Sequence, residues 1–414
     1  MGKSELIAGL DLGSGRVVCV LGTPDPEGQG TKILGGAIVP TRGLKGGVVL
    51  NIHETARAIR AAVEKAEEQA GQMVHGLYIG VRGDHIQSFN NSGNYNIART
   101  DKEITAEDVR GVIEHAKAIP ISADREILHV IPQSFALDRQ GGVPDPIGME
   151  GALLEVDVHI VTASSSHVTN LTKAVAEGGF DVIEPVYSLL ALGEFLVTEE
   201  ERDLGSLLVD VGGQSISLGI FAEGGIKFSK ELPFGSDFIT RDLAHGLRTK
   251  IPTAERIKIE HGIAHPALLN GNGDDLIEFK GVDGRTVHSV KKNTMVDIIL
   301  PRVEEMFTHI GEEVQNSNYG DLAVPGGTIL TGGGSQLRGL AQAAEQILNM
   351  PARGAYAHPG IVDAPAAILE DPSYATALGL VCYPQSASFG QTTIARRTEG
   401  RVLRGLRRWF KDLF

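Results

Sequence analysis

The chain has 414 residues, 42% of them hydrophobic and 22% charged, and a formal net charge of −14. That length gives room for about two to four domains with a generous core. The acidic balance excludes nucleic acid as the main partner, because no broad basic face can be spared. No apolar run approaches the ~20 residues of a membrane span, and the first residues lack the apolar core of a secretion signal. The two cysteines, Cys19 and Cys382, sit in apolar runs without metal-ligand spacing and read as buried thiols of a reducing cytoplasm.

Taken in order, Ile7 to Gly22 (IAGLDLGSGRVVCVLG) predicts an apolar strand carrying Asp11, a turn through Gly13 and Ser14, and a return strand from Arg16. Lys32 to Val39 reads as a third strand. Asn51 can N-cap a helix to about Ala70, with Ile52, Ala56, Ile59 and Val63 on one face. Gly76 to Val81 is a further strand. From Arg82 to about Ala163 the character changes. Asn90-Asn91-Ser92-Gly93 predicts a turn between short strands, and Thr105 opens a capped helix. Glu126–Leu137 and Leu153–Thr162 read as strands divided by a Gly/Pro loop from Gly141 to Pro146. This is a small α+β insertion with no chemical constellation of its own. Ser164-Ser165-Ser166 is an N-cap run rather than a nucleophile, having no paired base. After its helix, the strand Phe180–Pro185 ends close to Glu184, and a helix follows from Tyr187 to Thr198.

Leu207 to Phe221 (LLVDVGGQSISLGIF) repeats the first hairpin. Asp210 falls on Asp11, Gly212 on Gly13, Gly213 on Ser14 and Ile216 on Val17. Glycines at the bend let backbone N–H groups approach a phosphate, and a carboxylate beside them suits a water-clad Mg²⁺. D-x-G-G also occurs in ordinary hairpins; the duplication half a chain apart carries the reading, because two facing loops would clamp a polyphosphate. Phe234 to Phe238 leads into a helix through Leu247. Thr253 is expected to cap the next helix, where Glu255 and Lys258 share a face as an ion pair or as a contact to a ribose or adenine edge. His261 and His265 have i,i+4 spacing, but Gly262 and Pro266 break the helix that metal binding would need. Thr294–Gln315 is a long amphipathic helix. The strand Gly327–Leu330 runs into Thr331-Gly332-Gly333-Gly334-Ser335, and a helix is expected directly after it, as suits a flat or anionic ligand. Asp371-Pro372-Ser373 opens a last core helix through Cys382. A polar linker then leads to RVLRGLRRWFKDLF. There Val402, Leu403, Leu406, Trp409, Phe410 and Leu413 gather on one helical face, with Arg404, Arg407, Arg408 and Lys411 on the rest. That pattern fits a helix lying in an anionic membrane surface.

Two D-x-G hairpins, a Glu-Pro connection and a strand–Thr-Gly-Gly-Gly loop stand in the order used by the actin, sugar-kinase and heat-shock-chaperone ATPase superfamily. The insertion, the tail, Asp145-Pro146-Ile147-Gly148-Met149 and Leu154-Glu155 narrow this further. Over essentially its whole length the chain resembles the FtsA family of bacterial cell-division actin homologues. The resemblance implies an α/β, two-lobed actin-like fold of duplicated ribonuclease-H-like domains, with an α+β insertion domain and a C-terminal amphipathic helix. The expected partition is 1–82, 164–200 and 352–384 for the first lobe, 83–163 for the insertion, and 201–230 with 318–351 for the second lobe. Residues 231–317 form its nucleotide and partner subdomain, 385–400 the linker and 401–414 the membrane helix.

The same resemblance implies ATP and Mg²⁺ between the lobes. Asp11, Gly13, Ser14, Gly15, Asp210, Gly212, Gly213 and Gln214 would surround the phosphates, with Asp11 and Asp210 holding the metal through water. Gly235 would touch phosphate, Glu255 and Lys258 the ribose or base, and Gly332, Gly333, Gly334 and Ser335 the adenosine. Glu184 would orient a hydrolytic water. Gly235-Ser236 departs from the family, whose members often carry two glycines there. Filaments on the cytoplasmic face of the inner membrane, tethering of the FtsZ ring at the division site and contacts with later division proteins are implied too. The FtsZ C-terminal tail is expected around Lys291, Lys292, Asn293 and Arg302, a basic rim beside an apolar helix. A small-molecule kinase of the same fold would need a further catalytic aspartate, and a chaperone a substrate domain after the core; neither explains the tail.

Overall fold

A computed structural model of the chain describes residues 6–25, 30–357 and 361–385. The linker from residue 386 and the tail helix lie outside the described residues. Two sheets share one winding. In the first, the hairpin Ile7–Leu12 and Arg16–Pro24 continues antiparallel into Thr31–Pro40. Gly76–Val81 and Asp181–Tyr187 are then added parallel beyond Ile7–Leu12. In the second, Ser206–Val211 and Ile216–Ala222 continue into Gly225–Leu232, with Thr328–Thr331 and Ala352–Gly354 parallel on the other side. The registers repeat as well, Asp11 facing Val18 and Asp210 facing Ser217. The hairpin duplication read from sequence is thus a duplication of whole sheets.

Ile7–Leu12 and Ser206–Val211 are buried at every position, which is why each reads as an apolar run up to its aspartate. One face of the first sheet carries the helix Ile52–Ala70. Asn51 accepts from Glu54 N at its start, and Gly71, at φ 64°, ends it. The other face carries Ala375–Cys382, buried along its full length. That helix comes so close that a Cβ on Gly9 would lie 2.4 Å from Ala377 O. With Ser188–Leu196 it joins the lobes, and the first core runs through to Leu208, Phe221 and Ile329 of the second sheet. A separate core under the other face of the second sheet takes Ile239, Leu243, Ile299, Val303 and Phe307 from two helices, Ser236–Gly246 and Lys292–Asn316. Among the described residues no helix is long and apolar enough to cross a membrane.

The insertion is a four-stranded antiparallel sheet in the order Gln87–Asn96, Leu153–Ser164, Arg125–Leu137, Gln140–Val143, with the helix Ala106–Lys117 on its own small core. Asn90 to Gly93 is not the turn its composition predicts; it lies inside one strand. Each residue there pairs along Leu153–Ser164, and Gly93 lets the helix approach, since a Cβ would meet Val112 O at 2.6 Å. Asn90 reaches out of the insertion to Lys227 O, and Ser88 to Ser229 O, tying this sheet to the strand Gly225–Leu232 of the second lobe. Three local expectations shift. The strand expected to stop at Pro185 continues to Tyr187. The helix expected at Thr253 starts at Ile251. The glycine run after Thr331 enters a short 3₁₀ turn, Gly333–Gln336, and the next helix begins only at Leu340.

Candidate functional site

Each hairpin bend closes in the same way, Gly13 N donating to Arg16 O at 3.0 Å and Gly212 N donating to Ser215 O at 3.0 Å. The bends face one another. Asp11 and Asp210, 6% and 2% exposed, share a single cation, since Arg82 Nη2 stands 3.5 Å from Asp11 Oδ1 and 3.1 Å from Asp210 Oδ2. Neither oxygen has an aligned hydrogen-bond donor among the described residues. Burial raises the Asp210 pKa and the Asp11 charge adds to this, while Arg82 and Arg16 oppose it. Burial by itself would lower the Arg82 pKa; Asp11, Asp210 and Glu231 outweigh it and the net shift is upward.

The loops around the two bends are fitted to them. Ser14 Oγ accepts from Gly46 N at 2.9 Å, and Gln214 reaches toward the same Gly46. Gly15 is open, with space where a Cβ would be, and its carbonyl accepts from Thr41 N. Ser236 N and Asp237 N donate to Gly212 O and Gly213 O, so the Gly235 loop rests on the second bend. A Cβ on Gly235 would lie 2.5 Å from Gly212 O, leaving glycine the residue that fits. Glu255 and Lys258 form a 2.8 Å ion pair, and Lys258 Nζ also donates to Ser236 O and Thr240 Oγ1. The pair therefore braces the Gly235 loop from behind. Gly332, at φ 83°, is packed so closely that a Cβ would sit 2.1 Å from Asp210 Oδ1; Gly334 lies against Val211, and Gly333 against the Arg16 guanidinium. Ser335 Oγ donates to Gly332 O and holds that turn.

The site fits a polyphosphate and a hydrated divalent cation. Its donors are hard oxygens, two carboxylate oxygens lack hydrogen bonds, and glycines line the gap. No group of three or more His, Cys, Asp or Glu among the described residues could ligate a metal directly.

Sequence reading did not single out Arg82, nor Glu231, which accepts from Gly83 N at 3.2 Å and from Tyr187 OH at 3.0 Å. Burial pushes the Glu231 carboxyl up to about 7. The available signal for Arg82 is that it directly follows Gly76–Val81, the parallel neighbour of the Asp11 strand. Glu184 stands inside its strand, opposite Tyr78 and thus level with Gly9, two positions short of the Asp11 row. At the strand end it is Ser188 Oγ that comes near, 2.8 Å from where a Cβ on Gly80 would be, with Asp11 Oδ1 3.6 Å from the same point. The expected basic rim is internally paired. Lys291 bonds Asp274 and Lys292 bonds Asp275, each at 2.8 Å, and Arg302 Nε bonds Asp242 at 2.6 Å. Asn293 N donates to Gly273 O.

Two equivalent sheets, each presenting an aspartate at its first hairpin toward a shared cleft, define a two-lobed protein of the actin type. Solved structures agree on the fold: a PilM–PilN type IV pilus biogenesis complex (TM-score 0.66, 19% identity, covering 92% of this chain and 98% of that one) and MreB5 of Spiroplasma citri bound to ADP (0.54, 12%, covering 91% and 94%). The family model for cell division protein FtsA matches residues 207–379, and that for the SHS2 domain inserted in FtsA matches residues 83–162. Cell division protein FtsA of Pseudomonas aeruginosa is 35% identical over 100% of this chain and 99% of its own length. That of Escherichia coli K12 is 30% identical over 99% and 98%. The chain belongs to the FtsA family of bacterial cell-division proteins.

Proposed function

We propose that this chain binds Mg²⁺-ATP between its lobes and acts as an actin homologue that polymerises on the cytoplasmic membrane and tethers the FtsZ ring to it. One observation carries the nucleotide reading: carboxylates from two equivalent hairpins, Asp11 and Asp210, stand close enough to share one cation. When bound, Mg²⁺ would supply charge compensation for the phosphates, held by Asp11 and Asp210 through water. Backbone amides at Gly13 to Gly15 and Gly212 to Gln214 would cradle the phosphates, and Gly332 to Ser335 would leave room for the adenosine. Lys258 and Glu255 would position the Gly235 loop and meet the ribose or base. Glu184, with the strand Gly76–Val81 between it and Asp11, would orient the hydrolytic water, and turnover of Glu184→Ala equal to that of the unmodified chain would remove it from the mechanism.

The membrane reading rests on the sequence of Arg401 to Phe414, whose basic and apolar residues would fall on opposite faces if it were helical. One short helix binds weakly, so attachment depends on many copies in a filament, and head-to-tail contacts between unlike surfaces generate an open one. The FtsZ tail, with its acidic and apolar residues, would dock beside Lys292–Asn316 by taking Arg302 and the neighbouring lysines from their present carboxylate partners. Pelleting the full chain with anionic vesicles, with and without ATP, tests this assembly. A chain that binds ATP yet stays in the supernatant would limit the reading to the cleft.

A further inference from the structure

Arg82 is 11% exposed at its side chain and touches three elements at once: Asp11 on the first hairpin, Asp210 on the second, and Thr376 Oγ1, to which Nη2 donates at 2.8 Å. Its backbone is clamped. A Cβ on Gly47, at φ 81°, would lie 2.0 Å from Arg82 O, and one on Gly83, at φ 112°, 2.3 Å from Gly46 O. Gly46 in turn donates to Ser14 Oγ of the first bend. The main chain is thus packed closely against the Gly46–Gly47 turn, and the side chain is the part that reaches into the cleft. Nε has no hydrogen-bond partner in the described structure, so the guanidinium is held chiefly by charge and by the single bond to Thr376.

We propose that Arg82 is a resident cation that stands in for the divalent metal while the cleft is empty, latching the lobes together, and that its guanidinium must leave Asp11 and Asp210 when Mg²⁺-nucleotide enters. This rests on the reading of the cleft as a Mg²⁺-nucleotide site. Two buried carboxylates facing each other repel, and a cation between them removes that repulsion. Arg82 Nη2 lies on the same oxygens through which those carboxylates would hold the waters of Mg²⁺. The two cations therefore exclude one another. Because Arg82 directly follows a strand of the first sheet, Asp11 lies in that sheet and Asp210 in the second, exchanging a guanidinium for a metal also replaces one cross-lobe bridge by another. Metal loading and the empty-state latch become alternatives.

The test uses the nucleotide-free full chain and Mn²⁺ binding followed by electron paramagnetic resonance. Arg82→Gln should bind Mn²⁺ roughly tenfold or more tightly than the unmodified protein, because a nearby positive charge is gone. The gain should vanish in the double variant Arg82→Gln/Asp210→Asn. Millimolar Mg²⁺ should raise the thermal midpoint of Arg82→Gln and leave that of the unmodified protein where it was. If Arg82→Gln folds only with Mg²⁺ present, interchange of the two cations is supported. If it stays unfolded with Mg²⁺, or folds and binds Mn²⁺ no better, the proposal is overturned. Loss of ATP affinity in Arg82→Gln without any gain in Mn²⁺ affinity would also overturn it, since the guanidinium would then be a phosphate ligand. Calorimetric titration of the unmodified protein with Mg²⁺-ATP separates the two readings. No heat of binding refutes the nucleotide cleft itself, whereas binding together with unchanged Mn²⁺ affinity in Arg82→Gln refutes only the role of Arg82.

Discussion

Acid should loosen the junction between the insertion and the second lobe, and His159 is the group through which it acts. His159 is 1% exposed, with Nδ1 2.6 Å from Asn90 Oδ1 and Nε2 2.9 Å from Ser229 Oγ. Asn90 spends its amide on Lys227 O and Tyr319 Oη, so its Oδ1 is the acceptor. Nδ1 therefore carries the proton, and Nε2 faces the Ser229 hydroxyl, which also bonds Ser88 Oγ at 3.0 Å. Burial lowers the His159 pKa from 6.5 to about 4. A depressed histidine pKa contributes stability that is present in full above the unfolded value and is lost as pH falls through the folded one. Over the window from 6.5 down to about 4, this amounts to about 3 kcal/mol. His85, also lowered to about 4 by burial and by His167, works in the same direction. His159→Gln cannot titrate, so its thermal midpoint should fall less steeply with acid than that of the unmodified protein, while at neutral pH the variant should be less stable by the cost of an imperfect buried hydrogen bond, about 1 kcal/mol. Hydrogen exchange in Gln87–Asn96 and Gly225–Leu232 reads the junction directly. An identical pH slope in the two proteins would refute the assignment.

Gly332→Ala should destabilise the second lobe by about 2–4 kcal/mol and weaken ATP binding, because the backbone is left-handed there and the methyl would strike the Asp210 carboxylate; a thermal melt together with calorimetry checks both. Trp409→Glu should release the chain from anionic vesicles while ATP binding stays as it was, and unchanged co-sedimentation would exclude the tail as the anchor. Arg302→Glu should weaken binding of an FtsZ-tail peptide by tenfold or more, on the order of the 2 kcal/mol lost when a charged pair becomes like-charged. It would also break the Asp242 pair, so Asp242→Asn serves as the control that should not weaken the peptide.

The hairpins were legible because each is a local pattern: a buried apolar run, a carboxylate and a glycine bend, written twice. Arg82 was not, since its partners lie far away in sequence and only the parallel pairing of Gly76–Val81 with Ile7–Leu12 brings them together. Turn chemistry misled at Asn90–Gly93, where the asparagines are used as side-chain bonds between packed pieces: Asn91 to Ala116 O, and Asn90 to Lys227 O. Pro185 read as a strand stop, but Asp181–Tyr187 is the edge of its sheet, where a missing N–H costs nothing. Thr331 to Ser335 read as a glycine run with a helix directly after it. Gly332 instead turns the chain through a left-handed φ against Asp210, and the helix is delayed to Leu340. The basic rim near Lys292 looked available because Asp274 and Asp275 sit in a polar loop; the hairpin Leu276–Lys280 with Val287–Lys291 folds them back onto the lysines.

The central claim is that one nucleotide binds between Asp11 and Asp210, and isothermal calorimetry of ATP in the presence and absence of Mg²⁺ tests it most directly. The unmodified chain should bind a single ATP more tightly with Mg²⁺ than without. Asp11→Asn and Asp210→Asn should each lose most of that Mg²⁺-dependent increment, because each removes one of the two water-held anchors. Equal affinity with and without Mg²⁺, or an increment left intact in both variants, would contradict the account.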